Sequence, residues 1–101
     1  VKKPEIYPWF PAPYDERIVG AIKAVARGDA TASQQRLFLD YLIRVVCKTD
    51  DLSFRPEDAG GERATCFAEG KRFVGQQIIK LVNISMEVVK RNESGNREQP
   101  S

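Results

Sequence analysis

The chain has 101 residues, 42% hydrophobic and 30% charged, with a formal net charge of +2 and a pI near 8.7. That length allows one domain with a single small core, and the composition is ordinary globular material. It excludes several classes: no apolar run approaches the ~20 residues that cross a bilayer, and the basic excess is too mild to announce nucleic-acid binding by itself.

Histidine is absent and there are two cysteines. Without histidine there is no Ser–His or Cys–His nucleophile pair and no imidazole acid–base chemistry, so an enzyme is not expected. Nor do two cysteines make a disulfide framework or, without histidine, complete a zinc site. Cys47 and Cys66 both fall in apolar helical surroundings and are expected as buried free thiols. No metal and no cofactor is expected. The opening VKKPEIYPWFPAP has prolines where a signal peptide carries its apolar segment, which sets the expectation of synthesis in the cytoplasm. On that expectation the sequons at Asn83 and Asn92 are chance matches.

In residues 1–14, Pro4, Pro8, Pro11 and Pro13 are interleaved with Tyr7, Trp9, Phe10 and Tyr14. Proline fixes φ and biases its predecessor toward extended geometry, so this segment reads as an extended arm. It is too apolar to drift in water. Either Trp9 and Phe10 cap the domain's own core, or the arm lies along a neighbouring subunit or partner.

A first helix is expected from about Asp15 to Arg27, with Ile18, Ala21, Ile22 and Val25 on one side. Asp15 and Glu16 suit its positive end, Arg27 the other, and Gly28 is a natural stop. Thr31 or Ser33 then offers the cap for a second helix, from Ala32 or Gln34 to Lys48. Its apolar residues cover well over half the wheel and leave only Asp40, Arg44 and Lys48 as a polar strip with ion-pairing spacing. A helix this apolar is expected at the centre of the fold. Residues 49–61 form a loop, anchored by Leu52 and Phe54 and ended by Gly60-Gly61.

The third helix is expected from Glu62 toward Lys90 or Arg91, with Phe67, Val74, Ile78, Leu81 and Val88 as its main stripe. A helix of ~28 residues spans about 42 Å, whereas helices of ~13–15 residues reach only about 20–23 Å. The overhang, with Leu81, Ile84 and Val88, therefore needs a cover, from the arm or from another chain. Gly70 and Gly75 inside this helix each cost about 1 kcal/mol relative to alanine, which suggests close packing against the backbone. Lys71 falls inside the apolar stripe and must snorkel to its edge or pair with an acid from the 49–62 loop, while Arg72 points to the open face. Residues 92–101 read as a flexible polar tail.

Two apparent motifs fail. Gly70-Lys-Arg-Phe-Val-Gly75 begins like a phosphate loop, but Gln76-Gln77 stand where lysine and Ser/Thr must be. Asp50, Asp51, Glu57 and Asp58 lack the spacing of a calcium loop and read as a solvated acidic segment. From Arg63 to Arg91 six basic residues stand against Glu69 and Glu87. This is a solvated face or, alternatively, a nucleic-acid strip built from Arg63, Arg72, Lys80, Lys90 and Arg91.

The stretch from Gly28 to Asn83, with "GDAT…QQ…LDYLIR", the Phe54-Arg55-Pro56 loop and "A.FAEGKRFVGQQIIKL" over Ala64–Leu81, resembles a family of small proteins encoded by tailed bacteriophages and prophages. The resemblance covers just over half the chain and leaves out the arm. It implies a phage origin and a setting among head-assembly and DNA-packaging proteins; it carries over no catalytic residue.

Together these readings predict an all-α domain at residues 15–91: a three-helix bundle with a long C-terminal helix and an extended N-terminal arm. The expected function is that of a small phage structural protein, present in the virion. It would bind portal or head components, with a second copy of itself as a further candidate partner, through Tyr7, Trp9, Phe10, Leu81, Ile84 and Val88. The alternative is a nucleic-acid-binding accessory in DNA packaging or host takeover. No membrane partner is expected.

Overall fold

Asp15 opens the first helix by accepting the Ile18 N–H on its carboxylate at 2.9 Å. The helix that follows, α1 (Glu16–Arg27), ends on Gly28, whose φ of 85° lets its N–H return to the carbonyls of Ala24 and Val25. Ile18, Ala21 and Ala24 form its buried side, and α1 packs on α2 (Ala32–Asp40). A reciprocal capping box starts α2: Thr31 Oγ1 takes the Gln34 N–H at 3.1 Å, and Gln34 Oε1 takes the Thr31 N–H at 2.9 Å. The computed structural model describes residues 7–97, and over that span the chain is helical without a strand.

The second helix widens after Asp40. Tyr41–Val46 is a π-helix, closed by Cys47 N–H to Leu42 O at 3.0 Å. Lys48, with φ 49°, stops it, and Thr49 folds back so that its N–H (3.2 Å) and its hydroxyl (2.7 Å) both donate to Ile43 O. Ile43, Cys47 and Thr49 are thereby buried together. The second helix is flanked on two sides as expected, by α1 along α2 and by α3 along the π segment, but its buried residues are confined to the later part, and none of α2 is buried. Only α1 lies along α2, and the inward positions belong to the π segment instead.

The connecting loop is held by polar contacts. Arg55 N–H donates to Thr65 Oγ1 at 2.8 Å, and its guanidinium reaches the carbonyls of Leu52 and Ser53 at 2.7 and 3.0 Å. Leu52 and Phe54, the expected anchors, are exposed. A short 3-10 turn (Glu57–Ala59) and two glycines at positive φ, Gly60 and Gly61, lead into α3 (Gly61–Asn83).

The single long third helix is replaced by two. Ile84 is extended (φ −70°, ψ 141°), and Ser85 Oγ accepts the Val88 N–H at 3.2 Å to start α4 (Met86–Arg97). Asn83 meanwhile donates its side-chain amide back to Ile79 O at 3.0 Å, occupying a last-turn carbonyl. Local side-chain bonds of this kind compete with helix continuation. Residues 92–97, expected in a flexible tail, are part of α4; residues 98–101 and the first six of the arm lie outside the described residues.

The all-helical class holds, but a closed three-helix bundle does not describe the packing. α1 lies on α2, the π segment lies on α3, and α4 joins no helix by packing of comparable extent. The radius of gyration is 17.6 Å, against about 13 Å for a compact chain of this length. The core is thin: Ile18, Ala21, Ala24, Ile43, Cys47, Ala64 and Ala68. The molecule exposes 7721 Å², where a folded monomer of its mass exposes about 5,800 Å².

Candidate protein-binding surface

The register of α3 decides which side chains reach solvent. Its buried positions are Gly61, Ala64, Ala68 and Gly75, all small. The crossing is closest at Gly75, where an added Cβ would lie 3.0 Å from Cys47 Cβ and Thr49 Cβ and would collide outright with Thr49 Oγ1. Only glycine lets the π segment approach this near. Gly70 differs, because an added Cβ there meets nothing within 4 Å. Of the two glycines expected at a close crossing, one serves it and the other stands on the open face.

With the small residues turned inward, the large ones turn outward. Phe67, Phe73, Val74 and Leu81 are 46%, 56%, 50% and 67% exposed, and Val82 and Met86 are exposed as well. The expected stripe residues Phe67 and Val74 face out rather than toward the body, while Leu81 is open as the overhang implies; hydrophobicity alone cannot say whether a large-residue stripe or a small-residue stripe meets the neighbouring backbone. The missed signal was the second stripe, Gly61, Ala64, Ala68 and Gly75.

The three aromatic candidates of the arm are gathered at the N-terminal half of α3. Tyr7–Phe10 is a turn rather than an extended strand, closed by Phe10 N–H to Tyr7 O at 3.2 Å. Tyr7 stacks on Trp9 with ring centroids 5.2 Å apart, Phe10 tilts against Tyr7 at 5.7 Å, and Trp9 meets Phe67 edge-on at 5.9 Å. Pro8 between them is buried. The turn is fastened by Lys71, whose Nζ donates to Pro8 O at 2.7 Å. Of the two expected outcomes, reaching the edge of the stripe or pairing with a loop acid, Lys71 does not take the acid: its ammonium ends on a backbone carbonyl. Burial, and secondarily the charge of Lys48, hold its pKa below the ordinary 10.5.

The other three candidates are not brought to the same place. Leu81 lies about 21 Å along the helix from Phe67, Ile84 is the joint between α3 and α4, and Val88 is half-buried on α4. The described part of the arm meets Phe67 at one edge, through Trp9, and leaves Leu81 open. The basic candidates are likewise divided. Arg63 and Lys80 are exposed on α3 and Lys90 and Arg91 on α4, on either side of the break. Arg72, expected to face solvent, donates to Thr49 O at 3.1 Å and pairs with Glu69 at 3.3 Å.

Cys47 is buried as expected, but Cys66 is exposed beside Phe67. Asp50 pairs with Arg44 at 2.8 Å and Asp51 with Lys48 at 3.9 Å; among the described residues no group of His, Cys, Asp or Glu is placed to hold a metal ion, and no helix is long and apolar enough to cross a membrane. A separate groove of about 360 Å³ runs between the start of α1 and the π segment, beneath Tyr14 and Leu37, with Tyr41 Oη donating to Pro13 O at 2.9 Å across it. Compared with models of known families, with curated proteins and with solved structures, the chain finds no match.

Proposed function

We propose that this chain is a small, non-enzymatic assembly protein of a tailed bacteriophage, carried in the virion and bound to portal or head components. One observation carries the binding role: α3 spends its small residues on its own body and presents Phe67, Phe73, Val74 and Leu81 to solvent. A row of large apolar side chains on an exposed helix face is costly for an isolated soluble molecule and marks an interaction surface. The phage setting rests on the sequence resemblance over Gly28–Asn83, and the non-enzymatic reading on the absence of histidine.

The test is mass spectrometry of purified virions from a phage encoding this chain, followed by co-purification of portal and head proteins with the wild type and with Leu81→Glu. The chain is expected in the virion at stoichiometric levels, with capture weakened by the substitution. Its absence from virions overturns the assignment. The nucleic-acid reading rests on the exposed Arg63, Lys80, Lys90 and Arg91. It ranks second because Arg72 is engaged within the fold, and it would require DNA or RNA binding that falls steeply with salt.

A further inference from the structure

A pocket of about 210 Å³ lies between the arm and the end of the π segment. Tyr7, Phe10, Pro11, Pro13 and Val45 give it apolar walls, and its charged lining is two lysines, Lys48 and Lys71. No acid among the described residues lines it. Each lysine ammonium carries three N–H donors. Lys71 spends one on Pro8 O at 2.7 Å and pairs with no carboxylate among the described residues. Lys48 has Asp51 at 3.9 Å, beyond hydrogen-bond length. Asp51 lines instead a neighbouring void of about 10 Å³, room for about one water. Two positive charges thus share one carboxylate, and that carboxylate stands outside the pocket.

The backbone at Lys48 adds a second observation. Its φ of 49° is the one positive value held by a non-glycine residue among the described residues, a conformation that strains any residue with a side chain. Gly28 ends α1 at positive φ without that strain. Lysine where glycine would serve sets a second ammonium beside Lys71. The two charges repel: after burial, Lys48 is the next cause that lowers the Lys71 pKa.

We propose that this pocket binds a carboxylate on a short apolar or aromatic stem, its charge held by Lys48 and Lys71 and its stem lying against Tyr7, Phe10 and Val45. Apolar walls with a few convergent polar groups are the usual make-up of a ligand site. Inorganic phosphate would satisfy the ammonium groups and leave those walls wet; a neutral hydrocarbon would do the reverse. The volume is below the ~300–1,000 Å³ of sites for whole drug-sized ligands, so the occupant is a small free acid or the carboxylate end of a peptide. Phe73, Val74 and Leu81 do not line the pocket, so this site and the virion assignment stand or fall separately.

The experiment is a protein-observed NMR titration of the full chain at fixed ionic strength. The probes are benzoate, benzyl alcohol, inorganic phosphate, and a short peptide ending in phenylalanine with a free or an amidated C-terminus. Benzoate is expected to bind with a Kd of about 1 mM, shifting resonances around Lys48, Lys71 and Val45. Benzyl alcohol and phosphate should each bind at least about tenfold more weakly, since each lacks one half of the match. Tighter binding of the free-ended peptide than of benzoate, lost on amidation, assigns a chain end; binding of benzoate alone assigns a free acid. Lys48→Met should weaken benzoate about tenfold and leaves the Lys71 bond that fastens the turn in place. The proposal is overturned if neither carboxylate binds, if benzyl alcohol binds as well as benzoate, or if Lys48→Met binds benzoate like the wild type.

Discussion

Gly75→Ala is the most informative single change in this fold. In an ordinary helix interior it would stabilise by about 1 kcal/mol, because glycine is the poorer helix former. Here the new methyl enters the space of Thr49 Oγ1 and comes within 3.0 Å of Cys47 Cβ. Thr49 is 5% exposed, so its hydroxyl cannot move to water when it is pushed off Ile43 O. A buried hydroxyl left without its partner costs about 1–3 kcal/mol, and overpacking of the surrounding backbone costs about another 1–3 kcal/mol. Against the propensity gain, the net loss is about 3 kcal/mol, a large share of the ~5–15 kcal/mol that holds a typical domain. Urea unfolding followed by circular dichroism measures it, at a dilution where the chain is monomeric. Gly70→Ala is the internal control, since it receives the same propensity gain with open space around the methyl and should stabilise by about 1 kcal/mol. In Thr49→Ala/Gly75→Ala the loss should be smaller than the sum of the two single effects, because the first change removes the atom that the second strikes. If Gly75→Ala were as stable as Gly70→Ala, the close crossing and the register of α3 derived from it would be wrong.

The Lys71 ammonium is favoured more strongly in the unfolded chain than in the folded one, because burial lowers its pKa from 10.5. The unfolded state then binds more protons across the window between the lowered value and 10.5. Stability from this group therefore rises with pH through that window. Lys71→Met should abolish that rise, read as urea midpoints at about pH 7 and about pH 10; an unchanged pH slope would contradict the burial. Tyr41→Phe removes the 2.9 Å bond to Pro13 O and is expected to cost about 0.5–1.5 kcal/mol, with no loss if the arm is not fastened there. Asp15→Ala deletes the cap on Ile18 N–H and should lower stability by about 1 kcal/mol, checked by the thermal midpoint.

The sequence was most legible where the structure is local. Asp15, Gly28 and Thr31 act within three or four residues of themselves, and each does in the structure what its chemistry predicts. The Asp40–Arg44 pair also forms, at 3.5 Å, whereas Lys48 turns instead to Asp51. Legibility failed where a distant contact decides between local options. The π segment has no composition of its own; it exists where Ile43, Cys47 and Thr49 are all buried, toward α3. The break at Ile84–Ser85 carries neither proline nor glycine, and serine as a cap is a weak signal inside an apolar period. The largest error concerned the face of α3. Periodicity located the helix and both glycines, but a pattern of large residues reads the same whether it faces its own core or the outside. The binding candidates Leu81 and Trp9 were placed on exposed positions, yet on opposite ends of a helix, because the arm turns back onto Phe67 instead of running along the overhang.

The joint at Ile84–Ser85 changes what α4 costs to use. A polar tail that folds only on capture has to order its backbone at that moment, about 12–24 kcal/mol for 12 residues at 1–2 kcal/mol each. Here the helix is already wound and capped by Ser85, so a partner that meets α4 meets backbone whose ordering was completed in folding, and that cost does not recur at binding.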